Sequence, residues 1–334
     1  MSILNTIVER AKATKAKLVF AEGQDPRVIQ AAHRIVNDGI AQVTVLGSES
    51  EITKACNSAD IDALNFNIID PMLSSLATDF TRIFFEMRKH KGMSMDAATV
   101  VMQDRLYFAN MMCRQGLVDG LIAGSVASTS DVLRASLQVI GTAPGIKMAS
   151  SSMLLDLANP SPAGHSSLLF ADCAVIPNPD AEQLVDIAIA SANNYQTLTG
   201  EIPKVAFLSF ATNGSAQHES LDKIRRAASL TVLKVAAEGL DIIVDGEIQA
   251  DAALVPSIAA KKYPDSALKG EANVLIFPDL NSANISYKLV QRLANIPVYG
   301  PLLQGLAKPV NDLSRGCSAE DIYGVAAITA CQVT

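Results

Sequence analysis

Ser314, Arg315, Cys317 and Asp321 stand close together in the run PVNDLSRGCSAEDIYGV near the end of the chain. A hydroxyl, a guanidinium and a carboxylate at this spacing offer one hydrogen-bond donor, a two-pronged grip for an oxyanion and a base. The same residues also fit a purely structural role. Ser318 followed three positions later by Asp321 is a capping box, so the run can simply open the last helix. Cys317 adds a thiol, but no histidine lies near it in sequence to generate a thiolate, and it reads as a packing or positional residue.

Other cations sit beside polar loops. EMRKHKG places Arg88, Lys89, His90 and Lys91 in one basic run, which would suit the dipole at a helix C-terminus or an anionic ligand. In ASTSDVLRA, the hydroxyls of Ser128 and Thr129 precede a helix expected to start at Ser130 or Asp131, with Arg134 one turn in. Free amides at such a start suit a phosphate, or the segment is a plain N-cap. DGEIQADAA and FPDLNSANISYK carry acids and amides, Asn284 among them, directly after buried strands, where ligands of open α/β sheets bind.

Standard motifs are missing. The chain has no phosphate-binding G-x-x-x-x-G-K-[ST], no G-x-G-x-x-G after the first strand, no H-E-x-x-H and no G-x-S-x-G. With four histidines in all, a metal cage is not expected, and His33 and His165 read as structural.

The elements that must position these residues follow from composition and pattern. In 334 residues, 49% are hydrophobic and 18% charged, which excludes disorder and fits sheets covered on both faces. Tryptophan is absent and aromatics scarce, so the core is expected to be Ala, Val, Ile and Leu. A net charge of −7 argues against nucleic-acid and anionic-membrane partners. Five scattered cysteines without C-x-x-C pairing suit a reducing compartment, and with no signal-peptide run the expectation is a cytoplasmic protein.

AKLVFAEG, AQVTVLG and VDGLIAGS read as buried strands alternating with helices such as DPRVIQAAHRIVNDG, the βαβ rhythm of a parallel sheet. After Gly141 the strand-like runs are KMASSSMLLDL, HSSLLFADCAV, KVAFLSFA, DIIVDGEI and NVLIFPDL. Asn178-Pro179 reads as an N-cap followed by proline at the first position of the helix DAEQLVDIAIASANNYQ. Domain changes are expected near 145 and 298. Residues 1–145 plus 298–334 would form one α/β domain and 146–297 a second, inserted in the first, with a binding cleft between them.

Several runs resemble the phosphate acetyltransferase (phosphotransacetylase) family, the phosphate acetyl/butyryltransferases. They are LFADCAVIPNPDAEQLVDIAIASA, VDGEIQADAALVP, FPDLNSANISYK, GPLLQGLAKPVNDLSRGCSAEDI and AITACQ, and the likeness runs from VFAEGQDPRV to the C-terminus. The resemblance implies two α/β domains around a cleft, similar to isocitrate and isopropylmalate dehydrogenases, usually as a homodimer. It implies interconversion of acetyl-CoA and phosphate with acetyl phosphate and CoA. Coenzyme A would be a substrate, with no tightly bound cofactor and no metal. By position, the family's catalytic aspartate falls on Asp321 and its serine and arginine on Ser314 and Arg315; two further site arginines fall on Arg88 and Arg134. Ser128, Thr129 and Asn284 are the accompanying substrate-binding candidates.

Three positions depart from the family pattern: Ala127 where histidine is common, Ala135 where a proline follows the arginine, and Ala283 in place of a usual glycine. The rivals are a butyryl or other short-chain acyl preference, a ligand-sensing domain without activity, and a metal-dependent decarboxylating dehydrogenase. The last would need grouped aspartates and a nicotinamide site, which the sequence does not supply.

Overall fold

The computed structural model describes residues 2–62 and 64–333, and the chain divides into two compact units. The first comprises Ile7–Lys147 and the chain from Leu306 onward; the second comprises the residues through Thr6 with Met148–Gly305.

Helix α1 (Ile3–Thr14), from Ile7 on, belongs to the first unit. It is followed there by β1 (Lys17–Phe20), α2 (Pro26–Asn37), β2 (Gln42–Leu46), α3 (Glu49–Ser58) and β3 (Asn67–Ile69). Next come α4 (Ala77–Arg88), α5 (Met95–Met102), α6 (Arg105–Arg114), β4 (Gly120–Ala123) and α7 (Thr129–Val139). The second unit holds β5 (Ser150–Asp156), β6 (Ser167–Ala171), α8 (Ala181–Thr199), β7 (Lys204–Leu208), α9 (Glu219–Glu238) and β8 (Ile243–Ile248). It continues through α10 (Ala250–Leu254), α11 (Pro256–Lys262), β9 (Val274–Ile276), α12 (Leu280–Ala294) and β10 (Val298–Gln304). The chain then returns to the first unit as β11 (Val310–Asp312) and α13 (Ala319–Cys331).

In the first unit the strand order is β3-β2-β1-β4-β11, all parallel. The strands are nearly continuous apolar runs, as burial on both faces demands. The chain winds outward from β1 to β3, then comes back to lay β4 on the other side of β1. That reversal is a topological switch point, outside whose carboxyl end ligands of open α/β sheets are bound. The loops leaving β1, β4 and β11 therefore gather side by side.

The second unit's sheet has the order β10-β5-β6-β9-β7-β8, with β5 antiparallel to both β10 and β6 and the other pairs parallel. Because β10 pairs with β5, residues 298–305 group with the inserted unit; the return to the first comes at Leu306 instead of the expected 298. Several aromatics go inside: Tyr195, Phe20, Phe84, Phe108 and Phe207 are among the largest fully buried side chains, beside the expected aliphatic core, while Phe210 is exposed. Among the described residues, no helix is long and apolar enough to cross a membrane.

Two helix starts differ from the sequence reading. Helix α7 begins at Thr129, not at Ser130 or Asp131, because the Ser128 hydroxyl caps the Asp131 N–H. Helix α8 is capped by Asp180 rather than Asn178: Asp180 and Gln183 form a reciprocal capping box, and Pro179 lies outside the helix.

The turn after β4 requires glycine. Gly124 has φ +105°, and a Cβ there would lie 2.1 Å from Asp312 Oδ1 and 2.6 Å from the Leu313 nitrogen. Gly124→Ala is expected to destabilise the protein by about 3 kcal/mol or more, from backbone strain and overpacking together. Denaturant unfolding measures it; a loss under about 1 kcal/mol would show that the turn relaxes.

Candidate functional site

Three loops meet at the carboxyl ends of β1, β4 and β11. Each is held by hydrogen bonds to polar side chains, of which Glu22, Asp25 and Asp312 are buried. Glu22, directly after β1, is 5% exposed and accepts from the backbone N–H groups of Gly124 (2.9 Å), Ser125 (2.7 Å), Val126 (3.1 Å) and Ala127 (2.7 Å). The Ser125 hydroxyl also donates to it, at 2.8 Å. The β4–α7 loop is thus folded around a carboxylate.

Asp25 and Arg27 add the third loop. Asp25 caps α2 through the Arg27 N–H, and Pro26 supplies the first helical position. The Arg27 guanidinium grips the Asp25 carboxylate, with Nη2–Oδ2 at 2.6 Å and Nε–Oδ1 at 3.0 Å. Its remaining donors reach three carbonyls: Ser125 at 3.0 Å, Arg315 at 3.0 Å and Cys317 at 2.6 Å. Burial pushes the Asp25 carboxyl up, but the Arg27 bonds outweigh it and hold the group below its ordinary value.

On this brace, Ser314, Arg315 and Gly316 are exposed, and Ser318 opens α13. Among the described residues the Arg315 side chain has no ion pair. The capping box expected from Ser318 and Asp321 is present. Asp321 Oδ2 accepts from the Ser318 N–H and hydroxyl, both at 2.8 Å, while the Ser318 hydroxyl takes the Asp321 N–H at 3.1 Å. Asp321 Oδ1 takes no hydrogen bond among the described residues. Helix α13 is itself pinned to α2: Arg34 pairs with Glu320 and stacks 3.8 Å from the Tyr323 ring centroid, and the Tyr323 hydroxyl donates to Asp38 at 2.7 Å. Cys317 is buried, and burial pushes its thiol up to about 11 despite the pull of Arg27. A thiol so raised stays protonated near neutrality, which favours a packing or positional role.

At the start of α7, the amides of Gly124–Ala127 are occupied by Glu22 and that of Asp131 by Ser128. The backbone N–H groups of Thr129 and Ser130 take no acceptor among the described residues. The Thr129 hydroxyl donates to Asp312 Oδ2 at 2.5 Å. Arg134 is exposed and pairs with Asp131 at 2.9 Å. Arg88 ends α4, followed by a single 3-10 turn of Lys89–Lys91, and its buried Nε has no partner. Both arginines act electrostatically on the phenol of Tyr107, whose hydroxyl donates to Gln138 at 3.2 Å. Burial nonetheless leaves that phenol above its ordinary value. Arg88 and Arg134 are thus near a common point, while no hydrogen bond or ion pair joins either to the Ser314–Asp321 loop among the described residues.

The remaining candidates belong to the second unit. Asn284 Nδ2 donates to the Cys173 carbonyl at 3.0 Å. Of the acids after its strands, Asp279 caps α12, and Asp245 accepts from the Tyr263 and Ser266 hydroxyls and the Ala267 N–H. Ala283 lies buried in α12 with helical backbone, so its position does not require the positive φ that favours glycine. His165 bonds Glu201 and the Glu271 carbonyl, a structural role as expected. Sequence reasoning missed Glu22, Asp25, Arg27, Asp312 and Tyr107. The signal for Glu22 was available, since it is an acid immediately after a buried strand; nothing local marks the reach of Arg27 to carbonyls at 315 and 317.

The sequence pattern of the phosphate acetyl/butaryl transferase family matches residues 2–330. A phosphate acetyltransferase of Thermoanaerobacterium thermosaccharolyticum is 46% identical over 332 residues, covering 99% of each chain. The solved EutD phosphotransacetylase from Staphylococcus aureus superposes with a TM-score of 0.90 at 37% identity, covering 100% of both chains. In fold alone the similarity extends to a protein assigned as a 4-hydroxythreonine-4-phosphate dehydrogenase from Salmonella typhimurium, at a TM-score of 0.52 and 11% identity over 95% of this chain and 99% of that one.

Asp312 supplies a measurable consequence. Burial raises its carboxyl to about 7 from an ordinary 3.8; the Thr129 bond and the nearby Leu313 N–H oppose the rise, and Glu22 adds to it. The folded state therefore keeps a proton that the unfolded chain releases. The stability this contributes is complete below about pH 4 and is lost as pH rises through about 7. Relative to wild type, Asp312→Asn is expected to gain stability from pH 5 to pH 8, by up to about 1.4 kcal/mol per pH unit within that window. Urea midpoints at several pH values test this; a difference that does not vary with pH would contradict the raised carboxyl.

Proposed function

We propose, from the premise that the chain belongs to the phosphate acetyl/butaryl transferase family, that it interconverts acetyl-CoA plus phosphate with acetyl phosphate plus CoA. The observation that carries this reading is full-length similarity joined to one local arrangement: Ser314, Arg315 and Asp321 on a loop anchored at a switch point.

In this reading the CoA thiol loses its proton to the free Oδ1 of Asp321 as sulfur attacks the acetyl carbonyl carbon. The S–C bond forms, the carbonyl π electrons move onto oxygen, and their return breaks the C–O bond to phosphate. Negative charge builds on the carbonyl oxygen and on the departing phosphate. Arg315, free of ion pairs among the described residues, can grip the phosphate with two parallel donors, and the exposed Ser314 hydroxyl supplies another. Arg88 and Arg134 supply positive charge for substrate phosphates, and the open N–H groups of Thr129 and Ser130, at the positive end of α7, add to it. Ser128 joins the proposed substrate contacts at the start of α7. Transfer is direct within a ternary complex, without an acyl-enzyme, consistent with a Cys317 thiol held protonated.

Assembly as a homodimer belongs to the same proposal. It is supported by apolar side chains left exposed on one stripe of α12, Ile285, Leu289 and Leu293, and by Val232 and Leu233 on α9.

The test is thioester formation by the purified protein from CoA and acetyl phosphate in excess chelator, with butyryl phosphate in parallel. Acetyl transfer much faster than butyryl transfer is expected; no thioester from either donor would sink the transferase reading. Asp321→Asn, which keeps an acceptor for the Ser318 cap, is expected to lower kcat by about 10²-fold or more with KM little changed. A near-wild-type rate would remove Asp321 as the base.

A further inference from the structure

Asp312 has no part in the transfer just described, yet its placement is unusual. It is the last residue of β11, 0% exposed, and two positions before Ser314. Its Oδ2 receives the Thr129 hydroxyl at 2.5 Å, and its Oδ1 is buried without a hydrogen-bond partner beside Gly124. The charged group facing it is Glu22, from the end of β1; β4 presents Gly124 and α7 presents Thr129, neither of which titrates. A carboxyl group in so dry a place, with one oxygen unsatisfied, is costly to keep. A neutral apolar residue would serve packing alone.

We infer that Asp312 is a positioning residue: through Thr129 it clasps the first turn of α7 to the loop that carries Ser314 and Arg315, and so sets their relative placement for transfer. This rests on the phosphate acyltransferase reading. Among the described residues, the clasp is the side-chain hydrogen bond that joins the α7 first turn to the end of β11, since Arg27 reaches the following loop's carbonyls from α2 and bonds Ser125 but not α7. A misplacement of about 1 Å in such a site costs on the order of 10²-fold in rate. The state of the clasp depends on protonation. The ionised carboxylate is the stronger acceptor for the Thr129 hydroxyl. A carboxyl raised to about 7 is split between its two forms at neutral pH.

The experiment uses Thr129→Val, Thr129→Ser and Asp312→Asn in the full chain, with steady-state kinetics and amide hydrogen exchange over residues 313–317. Thr129→Val removes the donor at constant shape. It is expected to lower kcat tenfold or more, to shift KM for CoA and acetyl phosphate less than threefold, and to speed exchange over 313–317 at least tenfold. Thr129→Ser keeps the hydroxyl and is expected to exceed Thr129→Val at least fivefold in kcat and to exchange at least fivefold more slowly than it over 313–317. Asp312→Asn cannot ionise, so the ratio of wild-type to Asp312→Asn kcat is expected to change at least threefold between pH 6 and pH 8. That ratio cancels the titration of the CoA thiol.

Equal kcat in the Ser and Val variants, unchanged exchange in Thr129→Val, or a pH-independent ratio would each overturn the clasp. If Asp312→Asn does not fold, the two Thr129 variants decide alone. If wild type itself transfers no acetyl group, the functional reading has failed, and exchange over 313–317 decides the clasp without it.

Discussion

The arrangement of the first unit's loops depends on one guanidinium. Arg27 spends its donors on a buried carboxylate and on three carbonyls drawn from two other loops. Hydrogen bonds from a charged donor are worth roughly 1.5–3 kcal/mol each, and more to the point they are directional. A carbonyl cannot be left pointing into protein without a partner, so the chain at 315–317 has little freedom while Arg27 is in place. Lysine, with a single ammonium, would not bridge three loops from one position. The exposed side chains of Ser314 and Arg315 thus stand on a backbone that is itself fixed, which is what an electrostatic site requires if reorganisation is not to be repeated at every turnover.

Glu22 shapes the site in the opposite sense. Consecutive amides after β4 converge as they would on an anion, and an internal carboxylate already occupies them. A substrate phosphate competing for that nest would have to displace a buried charge. In the proposed function, recognition falls instead to side chains, Arg315, Arg88 and Arg134, and to the two amides of α7 that Glu22 does not reach.

Much of this organisation was readable in the sequence where the signal is local. Periodicity located β1, β2, β4 and α2 of the first unit but not the three-residue strands β3 and β11, and the Ser318–Asp321 spacing gave its capping box. The same kind of signal was overlooked at Asp180–Gln183, where Asn178-Pro179 imitated a helix start, and at Ser128–Asp131. Pairing was not readable. The antiparallel register of β10 on β5, which draws residues 298–305 into the second unit, joins segments far apart in sequence through backbone bonds that leave no compositional trace. Arg27, likewise, reads as an ordinary helix-start arginine until the fold brings carbonyls from 315 and 317 to it. Residue types and spacing singled out Arg88, Arg134, Ser314, Arg315 and Asp321, and the resemblance to a family gave them roles, but neither pointed to Glu22, Asp25 or Arg27, which brace the loops.

At the opening of α13, the structural role of Asp321 and the chemical role proposed for it can share one side chain without conflict. A capping box needs only one oxygen of its acid, and here Oδ2 accepts both bonds from Ser318. The other oxygen is left without a partner on a side chain whose rotamer the cap has already chosen. A base free to rotate would spend entropy to reach the same geometry, and its proton transfer would be less well aligned. In the proposed transfer, the capping box is therefore what would hold Asp321 to take a proton at a defined point. The two readings of the motif, helix start and chemistry, are successive consequences of the same hydrogen bonds.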